Sequence, residues 1–197
     1  MADPISRREF AAVVGAGAVA TAGDAAEPVK PAEAAKPVEA AFERDYDAPK
    51  FQPGWKKSQI NRVLAQDFVI FGHSELDKVK KLLDKEPALL NAAVDWGGGD
   101  WETALGGASH VGNRAIAEFL IEKGARIDLF AATMLGQLEV VKALLKLQPK
   151  LIDAKGPHGF NLHWHAKMGG KEAAPTLEYL QSVKKVEFPA PPPKKQD

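Results

Sequence analysis

Cysteine is absent from all 197 residues of the chain. Disulfides, thiolate nucleophiles and cysteine-held metals are therefore excluded, and packing must hold the fold unaided. Excess charge of either sign is also missing, with 26 basic residues against 26 acidic ones. No basic face with interleaved aromatics stands out, so no nucleic-acid partner is expected. Long apolar runs are scarce. The Gly- and Ala-rich stretch Ala11 to Ala22 covers 12 residues, too short to cross a bilayer, and no stable membrane anchor is expected. Catalytic arrangements are lacking too. Ser109-His110 is an adjacent pair without an obvious acid, and Gly97-Gly98-Gly99 lacks the lysine and helix of a phosphate-binding loop. No catalytic residue and no cofactor are expected.

What is present is a recurring apolar pattern. Gly136-Gln137-Leu138-Glu139-Val140-Val141-Lys142-Ala143-Leu144-Leu145 and Gly112-Asn113-Arg114-Ala115-Ile116-Ala117-Glu118-Phe119-Leu120-Ile121 are the clearest copies. Ser74 to Leu83 and Lys171 to Leu180 are weaker ones. Their last apolar residues, Leu83, Ile121, Leu145 and Leu180, are 38, 24 and 35 residues apart. The long first step contains four additional residues between Asn91 and Gly112, and the short second step lacks nine between Asp128 and Gly136. Within one copy, Leu138, Val141, Leu144 and Leu145 recur at three- and four-residue steps, the mark of a short helix with one buried face. Leu129 to Leu135 is Ala-rich and suits a tightly packed inner helix. Gly124, Gly136 and Gly170 punctuate helix ends. A helix pair of this kind cannot bury its face alone and must stack on its neighbours.

The spacing and the Gly-x-Leu-Glu-Val-Val-Lys-x-Leu-Leu string resemble the ankyrin repeat family. Asp100-Trp101-Glu102-Thr103-Ala104-Leu105-Gly106-Gly107-Ala108 is similar to that family's Thr-Pro-Leu-His signature through Thr103, Leu105 and Ala108, with Ala104 and Gly106 replacing Pro and His. Asn161-Leu162-His163-Trp164 stands in the same place in the last copy. The resemblance implies an all-α ankyrin solenoid of about four helix-turn-helix repeats over residues 51–183. It also implies a protein-binding platform made of inner helices and hairpin fingers. Phe51 to Ile60, with Trp55, could cover one end of the stack.

Outside that region the composition changes. Ser6-Arg7-Arg8-Glu9-Phe10, the apolar segment and Ala20-Thr21-Ala22 resemble a twin-arginine export signal over residues 1–22, with Arg7 and Arg8 as its core. The resemblance implies passage through the twin-arginine translocase, cleavage near Ala22 and a bacterial periplasm or cell-envelope location. Residues 23–50 read as an extended linker rich in Ala, Pro, Glu and Lys, and 184–197 as a Pro-rich tail.

Two groups of residues are candidates for function. Asp95-Trp96-Gly97-Gly98-Gly99-Asp100-Trp101 lengthens the finger between the first two copies. Either the tryptophans anchor a partner there or one folds back onto the adjacent repeat. With Trp96 and Trp101, the residues Phe130, Met134, His158, Phe160 and Trp164 form the expected contact surface for a protein partner of an adaptor, inhibitor or accessory subunit. His158, His163 and His165 are the alternative, a metal site or metal-dependent activity. Against it, histidines two apart on a helix diverge, and no acid lies near in sequence. Ser74 with Asp77 is expected to form a capping box, and Lys78, Lys80, Lys81 and Lys85 to face solvent.

Overall fold

The structure, a computed structural model, describes residues 39–51, 54 and 56–188. The export motif with Arg7 and Arg8, Trp55 and residues 189–197 of the tail lie outside the described residues. Residues 39–51 belong to one compact unit and contain no helix or strand; the rings of Phe42 and Tyr46 lie 6.3 Å apart there. The unit that follows holds the helices.

Those described residues are mostly helical. The helices are α1 (Arg62–Phe71), α2 (Leu76–Lys85), α3 (Ala104–Val111), α4 (Arg114–Glu122), α5 (Leu129–Met134), α6 (Leu138–Leu147), α7 (Leu162–Met168) and α8 (Ala174–Val183). One antiparallel hairpin, β1 (Ala93–Asp95) with β2 (Trp101–Thr103), precedes α3 and pairs Asp95 with Trp101.

Side-chain oxygens start the odd-numbered helices. Asn61 accepts from the Val63 N–H at 2.9 Å, Thr103 from Gly106 at 3.0 Å, Asp128 from Ala131 at 2.7 Å and Asn161 from Trp164 at 2.8 Å. Each bond satisfies an amide that the first helical turn leaves without a partner. The Thr103 segment and its Asn161 counterpart thus do the same local work despite their different sequences. Helix α2 begins differently: Glu75 is its cap residue and makes no side-chain capping bond, so the Ser74 and Asp77 box does not form. Its apolar stripe buries Val79 and Leu83, while Lys78, Lys80, Lys81 and Lys85 are exposed.

Sequential helices form the pairs α1/α2, α3/α4, α5/α6 and α7/α8, and α1, α3, α5 and α7 also pack on one another. The buried apolar residues fall into two clusters. One gathers Phe68, Val79, Leu89, Leu105, Ile116, Leu120 and Met134; the other gathers Leu129, Val141, Leu145, Leu162 and Leu180. A groove of about 630 Å³ opens beside α4 and α6, lined by Glu118, Ile121, Leu135, Val140 and Leu144 among others.

Between α4 and α5 there is no hairpin, only a brief connection. Helix α7 and the loop before it pack against α3. The buried Pro157 lies beside Gly106 at the start of α3, and Trp164 donates its indole N–H to the His110 carbonyl at 2.9 Å. Gly112, just past α3, has φ of 74°, and a β-carbon there would run into the Met168 carbonyl. Only glycine suits both the left-handed backbone and the close approach. We predict that Gly112→Ala lowers stability by about 2–4 kcal/mol, read as a shift in the midpoint of urea unfolding.

Candidate metal centre

The contact between α3 and the loop before α7 assembles four polar side chains that are far apart in sequence. His73 follows α1, Glu102 sits on β2, His110 lies in the last turn of α3, and His158 belongs to a short 3-10 turn, Pro157–Gly159. His73 and His110 are 37 residues apart, nearly the 38-residue step between the first two apolar copies, and both stand near the C-terminal ends of their helices. His158 is the one non-glycine residue with positive φ among the described residues, at 57°. That strained backbone turns its ring toward the others.

The geometry is that of ligands facing a common point. One atom from each residue lies within 4.8 Å of every other. His110 Nε2 is 2.9 Å from Glu102 Oε1 and 3.1 Å from His73 Nε2. Glu102 Oε2 is 3.5 Å from His73 Nε2 and 3.6 Å from His158 Nε2. Nitrogen and oxygen ligands about 2.0–2.1 Å from zinc stand about 3.3 Å apart in a tetrahedron; these four separations bracket that value, and the remaining pairs lie within 4.8 Å. Glu102 is wholly buried and His110 nearly so, while His73 and His158 have side chains 20% and 37% exposed. The group is thus enclosed on its β2 and α3 side and reachable from the other.

Supporting bonds set the tautomers. His73 Nδ1 lies 3.0 and 3.1 Å from the Ile70 and Val69 carbonyls, so it carries the hydrogen and leaves a lone pair on Nε2. His158 Nδ1 is 2.9 Å from Asp100 Oδ2, and the His158 amide donates to Asp100 Oδ1 at 2.9 Å. Asp100 therefore fixes both ring and backbone of His158, again directing an Nε2 lone pair inward, in the pattern of a carboxylate that orients a metal-bound imidazole. Trp96 Nε1 donates to Glu102 Oε2 at 2.8 Å and holds that carboxylate.

Electrostatics keep the set ready for a cation. Burial pulls the Glu102 carboxyl up, but the His110 bond, the charges of His73 and His110 and the Trp96 N–H outweigh it, so its pKa lies below the ordinary carboxylate value. Burial lowers the His110 pKa against the opposing pull of Glu102, which leaves a neutral imidazole. An ionised Glu102 carboxylate beside a neutral His110 imidazole is the protonation state that metal ligation needs.

The surrounding rings complete the wall. Phe160 stacks between His110, with centroids 5.3 Å apart, and Trp164, at 4.8 Å.

The residues singled out from sequence fare differently. Trp96 turns inward to Glu102 instead of covering an apolar repeat surface, whereas Trp101 is 63% exposed. Phe130, Phe160 and Trp164 are partly buried, and His158 is exposed but committed to Asp100. Met134 has no exposed surface, because the small residues around α5 let that helix sink into the core, so it cannot touch a partner. The expected trio His158, His163 and His165 does not converge. Helical geometry sends His163 to the Lys184 carbonyl at 2.7 Å and packs His165 against Phe130 at 5.1 Å, so only His158 joins the cluster. Ser109-His110 does have an acid, supplied from β2 by Glu102.

No family model, no curated protein and no solved structure matches the chain.

His165 is fully buried, and neither ring nitrogen has a hydrogen-bond partner. Burial, with a smaller contribution from His110, lowers its pKa from 6.5 to about 3. Between those values the unfolded chain binds a proton that the folded one refuses, so stability falls as pH drops from about 6.5 toward 3, by up to about 1.4 kcal/mol per unit. His165→Leu should flatten that slope and leave stability at pH 7 equal or higher, as followed by urea unfolding across pH.

Proposed function

We propose that this chain is a metal-binding protein in which His73, Glu102, His110 and His158 hold one divalent transition ion, zinc being the best fit. The observation that carries the reading is the mutual approach of four ligand atoms, with the tautomers of His158 and His73 set by Asp100 and by the Val69 and Ile70 carbonyls in the last turn of α1. Three imidazoles and a carboxylate suit zinc and its first-row neighbours better than calcium or magnesium, which prefer oxygen. Four protein ligands fill a tetrahedral shell, so the role is that of a staple: it ties α1, the hairpin, α3 and the loop before α7 together.

The scaffold in this reading is a divergent ankyrin-type stack of four helix pairs that lacks the finger between its second and third pairs. Packing of α1, α3, α5 and α7 on one another supports it, as do the equivalent caps Thr103, Asp128 and Asn161. Ser6 to Phe10 supports export of the folded domain to the periplasm or cell envelope. Such a stack would bind a protein partner, and the 63% exposure of Trp101 on the one hairpin favours that second role.

Zinc at a hundredfold excess over its dissociation constant should add about 2.7 kcal/mol, a rise in melting temperature on the order of 10 °C. Cobalt should give the visible absorption of a tetrahedral nitrogen-rich site. Glu102→Gln and His110→Ala should abolish both effects, and an unchanged response in those variants would refute the assignment. For the partner role, crosslinking pull-downs with wild type and Trp101→Ala should yield different partner sets; identical sets would remove the finger from the binding surface.

A further inference from the structure

A cleft opens between β2 and the loop before α7. Its volume is about 220 Å³, and its walls include Asp100, Trp101, Asp128, Phe130 and Lys155. We propose that this cleft receives an extended segment of a partner protein, with one lysine or arginine side chain seated between Trp101 and Phe130 against Asp100 and Asp128. The proposal rests on the interaction reading and gives its partner a chemistry.

Three independent features lead to this occupant. First, β2 pairs only with β1 among the described residues, and although the Trp101 amide is already bonded to the Gly99 carbonyl, no third strand covers the far side of β2. Strand addition supplies backbone bonds without demanding a particular sequence. Second, the two carboxylates outnumber the single ammonium of Lys155 among the residues lining the cleft, which makes it complementary to a cation. Third, Trp101 keeps 63% of its surface exposed beside that charge, and Phe130 lines the same cleft. An aromatic face next to a carboxylate suits a lysine or arginine, whose apolar stem and cationic head use both.

Asp100 has a double position. It lines the cleft and also holds His158 through two bonds, so the wall of the cleft is braced by the group that orients a metal ligand. Asp128 is separate from the metal ligands and serves as the cap of α5. Because asparagine caps a helix about as well as aspartate, Asp128→Asn removes charge from the cleft while preserving the fold.

The test uses the full chain labelled with nitrogen-15 and the capped pentapeptide Ala-Ala-Arg-Ala-Ala, with its Lys, Glu and Leu counterparts. The Arg and Lys peptides should shift amide signals of Gly99 to Thr103, Phe130 and Lys155 to Gly156, and bind at least about fivefold more tightly than the other two. Asp128→Asn and Trp101→Ala should each weaken the Arg peptide by about fivefold or more with the rest of the spectrum retained. Equal binding of all four peptides, preference for Glu, or no binding at millimolar concentration overturns the proposal. Shifts confined to another face overturn the cleft but leave the interaction reading standing, whereas that reading falls when crosslinking captures no partner at all.

Discussion

A carboxylate buried between three imidazoles is the constraint on which the rest of this structure depends. Glu102 has almost no exposed surface, and a charge in that position is tolerated only when its neighbours compensate it. His110, His73, His158 and Trp96 do so from four separate segments of the chain. Removing one partner from a buried ionic group typically costs about 3–5 kcal/mol. The cluster therefore constrains the hairpin, the end of α1, the end of α3 and the loop before α7 together. Backbone strain at His158 and the inward turn of Trp96 both become intelligible as ways of closing this group.

A brief connection elsewhere accompanies this arrangement. With no hairpin between α4 and α5, the loop before α7 reaches past α5 to α3. His158 then meets His110, and Phe160 and Trp164 stack behind it. In the proposed reading, one deletion creates both the metal staple and the cleft beside it, and the division of the core into two clusters follows from the same place.

Much of the helical framework was legible from the residues. Periodicity in Leu138, Val141, Leu144 and Leu145 marked α6, and lengthened and shortened connections located the hairpin and the missing one. Thr103 and Asn161 stood out as signature positions and prove to be helix caps, whereas the cap expected at Ser74 does not form. The candidate site was harder to read, because local sequence does not show which distant segments meet. The His158, His163 and His165 group drew attention by proximity along the chain, yet helix geometry separates its members. Ser109-His110 looked isolated because Glu102 reaches it from a strand rather than from the same helix. One usable signal was present: His73 and His110 stand nearly one repeat step apart, and stacking places such positions side by side. Met134 was misjudged for a related reason, since an inner helix as small as α5 buries nearly every side chain it carries.

The most direct measurement is anomalous diffraction at the zinc absorption edge from crystals of the untagged protein grown with one equivalent of zinc. The account predicts a single peak per chain, coordinated by Nε2 of His73, His110 and His158 and by Glu102. A peak held by other residues, or full occupancy of this position by ordered water with zinc elsewhere, would contradict it.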